Sequence, residues 1–107
     1  MPNEFIEELS DAKFESQVLD TREPTVVGFG SPWSGPSRRV KEHFVALSEK
    51  FDSIKTAWIN VDENPQVAGN YGVKSLPTVL LFDEGRALER RIGATTYDEL
   101  RGLFEEI

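Results

Sequence analysis

The sequence predicts an α/β fold: a central mixed β-sheet flanked by helices, built as a single domain over residues 1–107. Three observations carry this. The chain has 107 residues, the size of one compact domain with one core. Short apolar runs alternate with segments of helical periodicity, the pattern of a sheet with helices on its faces. A hairpin signal near the end turns an otherwise parallel sheet mixed.

The elements read in order as β-α-β-α-β-α-β-β-α. Phe5-Ile6 gives a short edge strand. Ser10 caps a helix over about 11–19, with Phe14, Val18 and Leu19 at helical spacing. Thr25-Val26-Val27-Gly28-Phe29-Gly30, bounded by Pro24 and Ser31-Pro32, fits a strand buried on both faces. A helix from about Pro36 to Lys50 lines up Val40, Phe44, Leu47 and Phe51 on one side. Residues 54–61 form the next strand. A short helix over 65–71 follows, with Pro65 in its first turn and Gly72 just past its end. Strands over 79–82 and 88–92 flank Asp83-Glu84-Gly85-Arg86, a hairpin turn in which Gly85 supplies a positive φ. Thr96 caps the last helix through Phe104, with Glu99 completing a capping box.

Composition narrows the function. Hydrophobic residues make up 38% and charged residues 29%, an ordinary globular balance. The net charge of -7 repels phosphate backbones and speaks against nucleic-acid binding. The longest apolar run, Val79-Leu80-Leu81-Phe82, is too short to span a bilayer. The N-terminal residues lack a basic region followed by an apolar stretch, so a cytoplasmic location and no membrane association are expected. There is no cysteine, hence no disulfide and no thiolate metal site. Asp62-Glu63 and Asp83-Glu84 have the spacing of turns, and no metal or other cofactor is expected.

The informative stretch is Phe29-Gly30-Ser31-Pro32-Trp33-Ser34-Gly35-Pro36-Ser37-Arg38, which ends a strand and opens a helix. Ser75-Leu76-Pro77-Thr78 stands just before the next strand. Val61-Asp62-Glu63-Asn64-Pro65, Tyr71-Gly72-Val73, Leu81-Phe82, Gly85 and Ile92-Gly93-Ala94 complete the set. With these residues in this order, nearly the whole chain resembles the thioredoxin family. The family's active site is Trp-Cys-Gly-Pro-Cys, and here it reads Trp33-Ser34-Gly35-Pro36-Ser37.

The resemblance implies thiol–disulfide oxidoreductase activity in a parent, with redox cysteines at positions 34 and 37. In such a site the first thiol sits at a helix N-terminus that stabilises its thiolate, and the second resolves the mixed disulfide. Ser34 and Ser37 preserve shape and hydrogen bonding but cannot form a disulfide, so the chain as written is expected to be redox-inactive. The resemblance further implies a cis Pro77, a Leu76 backbone that pairs with an extended peptide, and a shallow patch of Trp33, Gly35, Pro36, Leu76, Pro77, Gly93 and Ala94. The implied partners are disulfide-containing or extended protein segments and a thioredoxin reductase, met by a monomer.

The serines also suit plain structural roles, Ser34 as N-cap and Ser37 in a local backbone hydrogen bond. Serine catalysis fails on geometry. His43, the single histidine, lies six residues past Ser37, about 9 Å further along a helix.

Four positions depart from the family. Gly28 stands where a buried Asp is usual, and Trp58 where its Lys partner is. Glu42 replaces a helix-kinking proline, predicting a straighter helix, and Gly30 replaces an aromatic residue. Two origins are open. An engineered Cys-to-Ser double replacement would leave Trp33, Gly35 and Pro36 untouched, as they are. A natural lineage that lost its thiols with the Asp and Lys would act as a peptide-binding or scaffold module.

Overall fold

A computed structural model describes residues 6–107; Phe5, read with Ile6 as the start of the first strand, lies outside them. The elements are β1 (Ile6–Leu9), α1 (Asp11–Phe14), β2 (Thr25–Gly30), α2 (Gly35–Lys50), β3 (Lys55–Asn60), α3 (Pro65–Asn70), β4 (Thr78–Asp83), β5 (Arg86–Ile92) and α4 (Tyr97–Glu105). The sheet order is β1-β3-β2-β4-β5. β3 pairs in parallel with β1 and β2, while β4 pairs antiparallel with β2 and β5. The sheet is therefore mixed, as the terminal hairpin predicts.

Strand alternation divides the core into two layers. Val26, Trp58, Val79 and Leu81 face α2 and α4, where Val40, Phe44, Leu47, Leu100, Leu103 and Phe104 close the layer. Val27, Phe29, Ala57, Ile59, Leu80 and Phe82 face the other way, onto Phe14, Val18, Val67 and Ala68. β2 is buried along its whole length, which explains its unbroken apolar sequence.

Local signals hold at the element ends. The Ser10 side chain accepts from Lys13 N, and Thr96 and Glu99 form the full capping box. Gly72 and Gly85 take φ of 66° and 79°. The β4–β5 turn asks more than expected, because Glu84 also takes a positive φ, 52°. Two consecutive left-handed residues match the twist of a two-residue hairpin. A side chain on Gly85 would also meet the Leu19 carbonyl oxygen at 2.7 Å.

The first helix changes character after Phe14. Residues Glu15–Leu19 wind as a π-helical segment, with Asp20 N donating to Glu15 O at 2.8 Å. Lys55 Nζ, arriving from β3, donates to the Gln17 carbonyl there. α1 and α3 are stapled by side chains: Asp11 Oδ1 and Oδ2 accept from Val67 N and Gln66 N, and Asn64 Oδ1 accepts from Asp11 N. Asp11 thereby caps α3, whose N-cap Asn64 makes no capping bond of its own. α2 runs without a break through Glu42. No helix among the described residues is long and apolar enough to cross a membrane.

Candidate functional site

The site forms where β2 ends and α2 begins. Ser31, Pro32 and Trp33 make the connection, with Ser34 N donating to Ser31 O at 3.3 Å. Ser34 has extended backbone (φ -89°, ψ 116°), and its Oγ accepts from Ser37 N at 3.2 Å. It is thus the N-cap of α2, and Pro36 occupies the first turn, where its missing N–H costs nothing. The hydroxyl at position 34 is committed to the helix.

Ser37 lies one turn on and differs sharply. It is 1% exposed, and its Oγ has no hydrogen-bond partner among the described residues. Contrary to expectation, the Ser37 side chain makes no local backbone bond; its main-chain N–H is the group that bonds, to Ser34. An unpaired buried hydroxyl costs about 1–3 kcal/mol, whereas a sulfur in the same place carries little such cost. Ser31 Oγ is likewise buried and unpartnered.

Beneath Ser37 the layer is built from Gly28, Gly30 and Trp58. Gly28 lies directly opposite Trp58 in the sheet. A Cβ on Gly28 would stand 2.3 Å from the indole, and one on Gly30 2.4 Å from it and 2.9 Å from Ser37 Oγ. The indole therefore fills the volume that two side chains of β2 would need. It packs edge-on against Phe44 at 5.4 Å, and Lys41 Nζ sits 5.6 Å from its ring centroid. The buried polar residues among those described are all serines and threonines, with no ionisable group. No side chain buried beneath position 37 can move a proton.

A cleft of about 350 Å³ reaches Ser37 and Trp58 from the side of Glu8, Lys41 and Asn60. Its cations are already engaged: Lys41 Nζ is 2.6 Å from Glu8 Oε1, and Arg38 Nη1 donates to Pro32 O at 2.8 Å.

On the outer side the surface is open. Trp33 is 69% exposed, yet its indole is fixed, with Nε1 donating to Asp62 Oδ2 at 2.7 Å. The Leu76–Pro77 bond is cis. Neither the N–H nor the C=O of Leu76 makes a hydrogen bond among the described residues. Gly93 N donates to Pro77 O at 2.8 Å, which ties the Gly93-Ala94 turn to the proline. The geometry brings Trp33, Gly35 and Pro36 into one segment and Leu76, Pro77, Gly93 and Ala94 into another.

Two further residues belong with this surface. Ile92 is 64% exposed and pairs with Thr78, directly after Pro77. A large apolar residue next to the Gly93-Ala94 turn is the signal that could have found it. Asp62 could have been found by asking what partners an exposed indole N–H. His43 stacks edge-on against Tyr97 at 5.9 Å, as a half-buried helix residue should. Tyr71 packs between Phe14 and Phe82 in the opposite layer, and burial raises the pKa of its hydroxyl.

The comparisons agree with this architecture. The thioredoxin family model matches residues 5–106. The thioredoxin of Porphyra purpurea is 38% identical over 102 residues, covering 94% of this chain and 95% of that protein. Thioredoxin 1 of Nostoc sp. is 35% identical over 100 residues, covering 92% and 94%. The thioredoxin of Rhodospirillum rubrum is 38% identical over 90 residues, covering 83% and 86%. With the fold, the helix-capping active-site loop and these relatives in agreement, the chain belongs to the thioredoxin family, a family of thiol–disulfide oxidoreductases.

Proposed function

We propose that this chain binds extended segments of partner proteins on the surface between Trp33 and Pro77, and that it carries out no thiol–disulfide exchange. The free N–H and C=O of Leu76 are the observation that carries the binding half. They offer an extended peptide the two main-chain hydrogen bonds of an added strand. Trp33, held by Asp62, and Ile92 supply apolar contact on either side.

The chemical half follows from the atoms present. Exchange needs a thiolate to attack a disulfide sulfur, and a second thiol to displace the substrate. Here position 34 holds a hydroxyl spent on capping, and position 37 a buried one. A serine hydroxyl needs a base beside it to act as a nucleophile, and no such base is buried at the site.

The orphaned Ser37 Oγ supports descent from a cysteine-bearing parent that reduced protein disulfides through positions 34 and 37. It fits an engineered Cys-to-Ser double replacement of such a parent. A second reading, a natural redox-dead lineage, is favoured by the fit of Trp58 over Gly28 and Gly30, since these positions had to change together. A thioredoxin reductase would serve only the cysteine-bearing parent. A monomeric form and a cytoplasmic location complete the proposal.

Insulin reduction tests it. The chain is expected to give no thiol-dependent turnover, and turnover above the reductant-only background would overturn the proposal. Ser34→Cys with Ser37→Cys should restore activity if the serines were engineered. Activity near background in that folded variant would assign the chain to the natural lineage.

A further inference from the structure

The proposed peptide surface does not use the cleft beside Ser37. This cleft lies on the α2 face of the sheet, near the carboxyl ends of the parallel strands β1, β3 and β2. Open α/β sheets hold their ligands at the carboxyl ends of such strands. Its volume of about 350 Å³ falls at the lower end of the range for small-molecule sites. Ser31 and Ser37 line it, and both hydroxyls are buried without a partner among the described residues. Buried hydroxyls are nearly always bonded, so these two are hydrogen-bonding capacity that the fold itself does not use.

The charges around the cleft narrow its occupant. Two cations and two anions line it, Arg38 and Lys41 against Glu8 and Glu63. Lys41 and Glu8 satisfy each other at 2.6 Å. Arg38 and Glu63 remain, and neither makes an ion pair among the described residues. Neutral groups hold both. Arg38 Nη1 donates to the Pro32 carbonyl at 2.8 Å, which fixes the guanidinium without neutralising it. Glu63 Oε1 accepts from Asn60 Nδ2 at 3.3 Å, which leaves the carboxylate charge in place. The cleft therefore offers one uncompensated charge of each sign, with Pro32 and Trp58 as apolar lining. A free anion would be opposed by Glu63 and by a chain of net charge -7. A free cation would be opposed by Arg38. A molecule that carries both charges and is neutral overall meets both walls.

We propose that the cleft binds a small zwitterion of the α-amino-acid class. Its carboxylate meets Arg38, its ammonium meets Glu63, and an apolar side chain lies against Pro32 and Trp58. The site stands apart from the Trp33–Pro77 surface and needs neither a thiol nor a bound peptide.

The experiment titrates the isotope-labelled chain with L-leucine, N-acetyl-L-leucine and L-leucinamide, followed by chemical shifts near neutral pH and at matched ionic strength. L-Leucine should give saturable shifts in the millimolar range at the Trp58 indole and at the amides of Lys41, Asn60 and Glu63. Each analogue lacks one of the two charges and should bind about fivefold more weakly, the scale of one solvent-facing ion pair. Arg38→Gln should weaken L-leucine about fivefold and leave L-leucinamide, which has no carboxylate, unchanged. Glu63→Gln should weaken L-leucine to the same degree and leave N-acetyl-L-leucine, which has no ammonium, unchanged. Both side chains are exposed, so each variant should keep its shifts away from the cleft. An absence of saturable shifts, or equal affinity for the three ligands, would overturn the proposal. L-Leucine binding that is indifferent to both variants would overturn it as well. Shifts centred on Trp33 and Leu76 would put the amino acid on the peptide surface and overturn it too.

Discussion

The loops above position 37 and the layer beneath it have diverged to different extents. Above it, Trp33, Gly35, Pro36, Leu76 and cis Pro77 carry the residues the resemblance implies, and the peptide binding proposed for that open surface needs no thiol. Beneath it, Gly28 and Trp58 stand where the resemblance implies a buried Asp and its Lys partner, and the layer holds a closely packed indole with no buried charge. On the proposed function, recognition and redox chemistry are separable in this fold. The recognition surface depends on loop backbone, while the chemistry depends on sulfur and on what lies under it.

The largest effects should come from the rebuilt layer. Trp58→Ala removes a buried indole and is expected to cost about 4 kcal/mol in urea denaturation. Gly28→Asp alone forces a Cβ into the indole and buries an unpaired carboxyl, costing about 3 kcal/mol. Restoring the family's Asp is thus no simple test of proton transfer in this chain. With Trp58→Lys added, the cost should fall well below the sum of the two single changes, because the pair is in contact. Strict additivity would break the comparison.

The two serines should show the smaller, sharper contrast. Ser34→Ala loses the cap of α2 and should destabilise by about 1 kcal/mol. Ser37→Ala removes an unpaired hydroxyl and should be neutral or stabilising by up to about 1 kcal/mol. Equal losses at both positions would mean that Ser37 Oγ has a partner in solution.

What could be read from the sequence was local. The capping box at Thr96 and Glu99, the cap at Ser10 and the glycines at 72 and 85 are short-range signals, and each stands in the fold. The mixed character of the sheet followed from the alternation of elements and the terminal hairpin. The proposed peptide surface was legible through resemblance, because its residues come in three short motifs. The rest joins distant parts of the chain. Trp58 fills the space over Gly28 only once β2 and β3 pair. Asp11 caps a helix more than fifty residues away. The π-helical segment meets Lys55 of β3 at the Gln17 carbonyl, a contact that local spacing does not reveal. The orphaned Ser37 Oγ required knowing what does not reach it.

The central claim is that a thioredoxin surface remains a working peptide site after its sulfur has gone. Amide chemical-shift mapping of the chain as written, titrated with an extended valine–serine peptide, tests it most directly. Saturable shifts centred on Trp33, Leu76, Ile92 and Ala94, lost in Trp33→Ala, are the predicted result. Shifts confined to another face, or none at concentrations where related peptides bind a cysteine-bearing thioredoxin, would contradict it.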